Sequence, residues 1–183
     1  AKQNFGQMIV NLGDINNDYA DDYAIGTPNF KASIQVNGKT KLLNKAGKVE
    51  VISGKTGDVL ISQTGRAAKT LFGSAVVAAD IDRDGVIDIA IGSPGANKNS
   101  GEVVICLATV AGSFDCDNTI TPDTSLKASL FGGSLATADI DNKTQLFIGA
   151  PNAKNDSNKK VGAFIRIVDD AFNEQEIRYG TAT

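Results

Sequence analysis

The sequence predicts an all-β fold assembled from repeated four-stranded antiparallel units, and three observations predict it. One segment recurs three times, opening on Phe-Gly and closing on Gly-x-Pro: FGQMIVNLGDINNDYADDYAIGTP (5–28), FGSAVVAADIDRDGVIDIAIGSP (72–94) and FGGSLATADIDNKTQLFIGAP (131–151). Short apolar runs separated by turn formers follow each copy. The composition, 42% hydrophobic and 6% aromatic with 19 Gly in 183 residues, fits one turn-rich packed domain.

Within each copy a first strand (VVAAD, LATAD) enters an acidic loop and a second (IDIAIG, LFIG) leaves it, which is a hairpin. A third strand follows as KVEVISG (48–54), EVVICLA (102–108) and AFIRIVD (163–169). The fourth reads as DVLISQT (58–64), a weak run near 114–130, and QEIRYG (175–180). Four antiparallel strands per repeat predict β-propeller blades, at about 5–71, 72–130 and 131–180 of a single segment covering 1–183. The tail RYGTAT reads as the start of a further copy, with Tyr179-Gly180 in the Phe-Gly place. Closed propellers hold about four to eight blades, so three predict either part of a longer chain or two copies closing a six-bladed ring.

The loop DIDRDGVID (80–88) crowds four carboxylates that repel one another unless a cation sits among them. Oxygen-only donors on a flexible loop select Ca2+ over Mg2+. The predicted ligands are Asp80, Asp82, Asp84 and Asp88 with the carbonyl of Val86, and Gly85 makes the turn. The first loop offers Asp14, Asn16, Asp18, the carbonyl of Ala20, and Asp22 in the same places, but Tyr19 stands where Gly85 does, and tyrosine tolerates a positive φ poorly. An EF-hand is excluded because position 12 is Ile91 rather than Glu and strands flank the loop. An acidic turn without metal is the alternative for both loops. The third loop, around Asp139, is two residues shorter and carries Lys143 and Gln145, so two calcium sites are expected rather than three. Two ions would move the formal charge from −3 to +1, and their expected role is structural.

Cys106 and Cys116 flank a Gly-containing turn, so a disulfide across a hairpin and two separate buried thiols are both open. Two Cys and no His argue against zinc, and the absence of His removes the commonest general base. No catalytic residues are assigned, and the chain is read as a non-enzyme. A pI of about 4.9 leaves no electrostatic footprint for nucleic acid, and no apolar run is long enough to insert directly in a membrane. Gly-Lys-Thr at 54–56 lacks the earlier glycine of a phosphate-binding loop and is read as a turn. The sequons at Asn142 and Asn155 matter only in a eukaryotic source. The chain begins at Ala1 with neither a leader nor an initiator Met, which fits a removed signal peptide or a trimmed chain.

Phe-Gly, an acidic loop and then Gly149-Ala150-Pro151, with Gly-Ser-Pro and Gly-Thr-Pro in the other copies, resembles the FG-GAP repeat of integrin α-chain propellers and related surface proteins. The resemblance covers essentially the whole chain and implies a calcium-binding, extracellular or cell-surface adhesion module. It also implies that acidic hairpins lie on one face and that ligands dock on the other. That second face would carry the insertion at 31–48, whose IQVNGKTKLL reads as a hairpin on Asn37-Gly38. Its lysines Lys31, Lys39, Lys41, Lys45 and Lys48, with Lys154, Lys159 and Lys160 of the third unit, suit an anionic protein or glycan partner, or simply keep an exposed edge soluble. An accessory propeller of a secreted enzyme, or a self-assembling ring or filament, is the alternative function.

Overall fold

The computed structural model describes residues 3–109, 113–167 and 175–181. In chain order its strands are β1 (Met8–Gly13), β2 (Asp22–Thr27), β3 (Ala32–Val36), β4 (Lys39–Leu43), β5 (Lys48–Ile52), β6 (Val59–Thr64), β7 (Ala75–Ala79), β8 (Asp88–Gly92), β9 (Val103–Ala108), β10 (Phe114–Ile120), β11 (Ser134–Ile140), β12 (Lys143–Ala150), β13 (Ala163–Ile167) and β14 (Gln175–Tyr179). They form three four-stranded antiparallel sheets, ordered β1-β2-β5-β6, β7-β8-β9-β10 and β11-β12-β13-β14, with β3 and β4 as a separate hairpin. These are β-propeller blades, and among the described residues the sheets do not close into a ring.

Second and third strands lie between two others and bury both faces, which is why IDIAIG and EVVICLA read as nearly continuous apolar runs. Every residue of β8 is buried. By contrast β10 alternates only over Phe114–Cys116 before its pairing with β9 slips between Asp115 and Asn118, so its sequence signal is weak. Cys106 and Cys116 form a disulfide joining these two strands. Residues 110–112, within the expected turn between the two cysteines, and 168–174, where AFIRIVD is expected to continue, lie outside the described residues, as do 1–2 and 182–183.

The core lies between blades more than within them. One cluster joins Val49 and Val51 to Phe72, Val76, Ile89 and Ile91. A second joins Val103, Ile105 and Ile120 to Phe131, Leu146 and Ile148. A single blade has two apolar faces and cannot cover both by itself, so the neighbour is part of its fold. The Phe-Gly dipeptide is the hinge pin of this packing. Phe72 forms a parallel bridge with Gly47 and its N–H donates to the Ala46 carbonyl at 3.1 Å; Phe131 does the same with Gly101 and the Ser100 carbonyl at 3.0 Å. The following Gly73 and Gly132 adopt φ of 84° and 80°, which a glycine reaches without strain, and donate to Gly92 and Gly149.

Tyr179-Gly180 does not stand in the Phe-Gly place. Tyr179 ends β14, and the Gly180 N–H donates to Gly162 at 3.0 Å as Gly65 does to Gly47 at 3.1 Å. The dipeptide therefore matches Thr64-Gly65, the close of a fourth strand, where an aromatic followed by glycine is chemically similar but structurally a different position.

Candidate metal centres on the acidic hairpins

Antiparallel alternation sorts the loops to two ends. The acidic β1–β2 and β7–β8 loops meet the turn after a third strand: Ser53 Oγ donates to Asp18 Oδ2 at 3.3 Å and the Ala108 N–H to Asp88 Oδ1 at 2.8 Å. A cavity of about 320 Å³ lined by Asp14, Asn17, Gly85 and Val86 lies between the two acidic loops. At the opposite end the loops between second and third strands bond to the connections between blades, as in Leu71 to Lys45 and Asn152 to Ser129.

In the second loop the structure brings Asp80, Asp82 and Asp88 together, with one carboxylate oxygen of each within 4.8 Å of the others. Asp88 is fully buried and anchors the loop, accepting from Ile81 at 2.8 Å and Asp82 at 3.3 Å on one oxygen and from Ala108 on the other. Burial pushes its carboxyl above the usual range, the three backbone N–H groups pull the other way, and the nearby Asp82 charge adds to the push. Asp80 Oδ2 accepts from Gly85 at 3.0 Å, whereas its Oδ1 is buried without a hydrogen-bond partner. A buried carboxylate oxygen left unpaired beside two more carboxylates is costly in an apolar setting and suits a hard cation. Asp84 stands apart from this cluster, exposed, and its Oδ1 accepts from Val86 at 2.8 Å. That bond holds Val86 in the turn.

The first loop repeats the backbone path: Asn17 and Tyr19 have φ of 58° and 70° where Arg83 and Gly85 have 66° and 88°. The turn thus does require a left-handed residue at Tyr19, whose side chain is 98% exposed. Asp14 accepts from Asp18 and Tyr19 at 2.9 and 2.8 Å, Asn16 from Asp18 at 3.0 Å, Asp18 from Ala20 at 3.0 Å, and buried Asp22 from Ile15 and Gly54 at 3.1 and 3.2 Å. Asn16 replaces the second carboxylate, and among the described residues this loop forms no comparable trio of acids. Lys55 Nζ donates to the Asp18 carbonyl at 2.7 Å, placing a cation beside the loop. Sequence reading took Lys55 as part of a turn only; that third-to-fourth-strand turns share an end with the acidic loops is the signal that would have found it. The third loop closes on two residues, Asp141 and Asn142, at φ of 52° and 57°, and Asp139 Oδ1 accepts from Thr144 Oγ1 at 2.9 Å across the hairpin.

At the other end Lys31, Lys39, Lys41 and Lys45 are exposed on and beside the β3–β4 hairpin, which turns at Asn37 and Gly38 with φ of 49° and 73°. Lys48 instead pairs with Glu50 at 2.8 Å and lies over the Phe30 ring. Lys154 and Lys160 line a groove of about 680 Å³ together with Lys127, which sequence reading missed, and Asp156; Lys159 is exposed in the same loop. The blade-one lysines are not part of that lining.

Repeated Phe-Gly junctions, propeller blades and a carboxylate cluster on a blade hairpin define a class, and comparison with known proteins gives it a name. The FG-GAP repeat family model matches residues 72–106. Integrin alpha-4 of Xenopus laevis is 28% identical over 127 residues, 66% of this chain and 12% of its own length. Integrin alpha-V of Gallus gallus is 27% identical over 113 residues, 57% of this chain and 10% of its own. The chain thus resembles the FG-GAP repeat over residues 72–106 and is similar to integrin α chains, and it spans about a tenth of the length of these relatives.

Proposed function

We propose that this chain is a non-enzymatic, extracellular or cell-surface recognition module whose blade hairpins are held by two calcium ions, at Asp80/Asp82/Asp88 and, more weakly, at Asp14/Asp18/Asp22. Likeness to integrin α chains supports the adhesion role. The unpaired buried Asp80 Oδ1 carries the calcium reading. Calcium at the second loop would draw in Asp84 and the Val86 carbonyl from positions already adjacent in the turn. The lysine-bearing loops at the opposite end favour a partner with acidic side chains or a sulfated or uronic glycan. Among the described residues no helix is long and apolar enough to cross a membrane.

Calorimetric titration of chelator-stripped protein tests the metal. Two binding events are expected in the wild type and one in Asp80→Asn; the absence of calcium-dependent heat in the wild type sinks the reading. Glycan and acidic-peptide arrays, run with Lys154→Glu/Lys160→Glu as the control, test the partner. Binding that the double variant leaves unchanged would move the ligand away from this groove.

A further inference from the structure

Two lysines of the third unit are held where like charges repel. Beyond β12 the chain turns back on itself, and Lys154 and Lys160 pair across an isolated antiparallel bridge. Asn155 fixes the turn between them: its N–H donates to the Lys159 carbonyl at 3.0 Å, and its Oδ1 accepts from the N–H groups of Ser157 and Lys159, both at 3.1 Å. Residues directly opposite in an antiparallel pair put their side chains on one face with Cβ atoms about 4.5–5.5 Å apart, and like charges so placed destabilise the pair. Lys154 Nζ donates to Asn158 Oδ1 at 2.9 Å, a neutral amide that orients the ammonium and leaves its charge in place.

Both lysines line the groove of about 680 Å³, a volume inside the range of about 300–1,000 Å³ that ligand sites occupy. Its other wall is the connection between blades two and three. There the buried Leu126 anchors the short helical turn Thr124–Leu126, and Ser125 and Lys127 on either side of it line the groove. Backbone bonds tie the walls together, from the Asn152 N–H to the Ser129 carbonyl and from the Leu130 N–H to the Asn99 carbonyl, each at 2.9 Å. Three lysines less one aspartate, Asp156, give the lining a formal charge of +2 in a chain whose total is −3. The apolar share of the lining is small, Ala128 and Leu130, whereas the carboxamides of Asn99 and Asn152 and the hydroxyl of Ser125 both donate and accept.

We propose that this groove binds a sulfated uronic oligosaccharide, with one anionic group bridging Lys154 and Lys160, a second at Lys127, and sugar hydroxyls on the amides between them. The inference rests on the recognition role proposed above and narrows its partner to a glycan. An anion between the two opposed lysines relieves their repulsion, and an ammonium, as a compact point charge, accepts a sulfate or carboxylate without demanding one planar geometry. Protein partners draw most of their affinity from apolar and aromatic anchors in desolvated pockets, which a lining of lysines and amides does not offer. Sugar hydroxyls, each a donor and an acceptor, match amides and Ser125 instead.

Calorimetric titration in the presence of calcium tests it, with a heparin-derived tetrasaccharide, a neutral tetramer of N-acetylglucosamine, hexaglutamate and inorganic sulfate as the probes. The heparin-derived probe is expected to bind most tightly, and Lys154→Gln/Lys160→Gln to weaken it by about tenfold or more with far-ultraviolet dichroism unchanged. Lys39→Gln/Lys41→Gln, at exposed lysines outside the groove, should leave its affinity as it is. No binding of the heparin-derived probe, an equal loss in both double variants, or equally tight binding of the neutral tetramer or of free sulfate overturns the proposal. Hexaglutamate binding more tightly, and losing affinity in Lys154→Gln/Lys160→Gln, sinks the glycan alone and leaves a recognition module for acidic protein segments.

Discussion

Asp88 does two opposed things: its buried carboxylate ties the acidic loop to Ala108, and its charge is unwelcome there without a counter-ion. The sign of the pH dependence follows. Without metal its folded-state carboxyl titrates above its unfolded value, so its contribution to stability is present at low pH and is lost as pH rises through the folded value. Calcium bound there, as proposed, would favour the ionised form and reverse that trend. The stabilisation calcium gives should therefore grow as pH rises from about 4 toward neutrality, measured as the difference between urea midpoints with calcium and with chelator. A difference independent of pH would place the ion elsewhere. At this scale the carboxylate cluster was legible, because acids at alternate positions of one short loop repel one another and so point to a cation between them. Asp84's exposure outside the cluster was not, and neither was the reach of Lys55, which depends on which loops the blade brings to one end.

Among the elements, the central strands were legible because burial on both faces removes polar residues from their runs, and Asn37-Gly38 announced its hairpin because both positions need positive φ. β10 was hard to read because its register slip breaks the alternation after Cys116. The third acidic loop shows how a deletion changes an element: with two residues fewer, β11 and β12 pair up to a two-residue turn, and Thr144 takes the hydrogen bond of Asp139. Among the described residues the β3–β4 hairpin joins a small cluster of Phe30, Ala32, Leu43 and Ala46 and adds no residue to either inter-blade core. Replacing residues 33–42 by a Gly-Ser turn should accordingly change stability by less than about 1 kcal/mol in chemical denaturation, since loop length alone costs little. A larger loss would mean that the hairpin braces the blade.

For the whole molecule, the unit of stability is the junction between blades. Phe131→Ala should cost about 3–5 kcal/mol, the range for deleting a fully buried ring, read from urea unfolding. Phe5→Ala should cost far less in this chain, although both residues open the same repeat, because Phe5 is exposed where Phe131 is fully buried. Equal losses would contradict junction-centred packing. The repeat period and the Phe-Gly marks made this architecture legible in the sequence. Tyr179-Gly180 misled because a strand end and a blade opening can share the same two residue types, and only the bond from Gly180 to Gly162 distinguishes them.

Under the proposed function, calcium pins the acidic hairpins of the first two blades and so stabilises the folded chain. Differential scanning calorimetry of the chain with calcium at about a hundred times its dissociation constant, and again with chelator, tests it most directly. Two sites at that excess stabilise by about 2.7 kcal/mol each, which for a domain of this size predicts a fall in Tm on the order of 10–20 °C when calcium is withdrawn. A Tm that does not move would show the acidic hairpins to be turns that hold no ion.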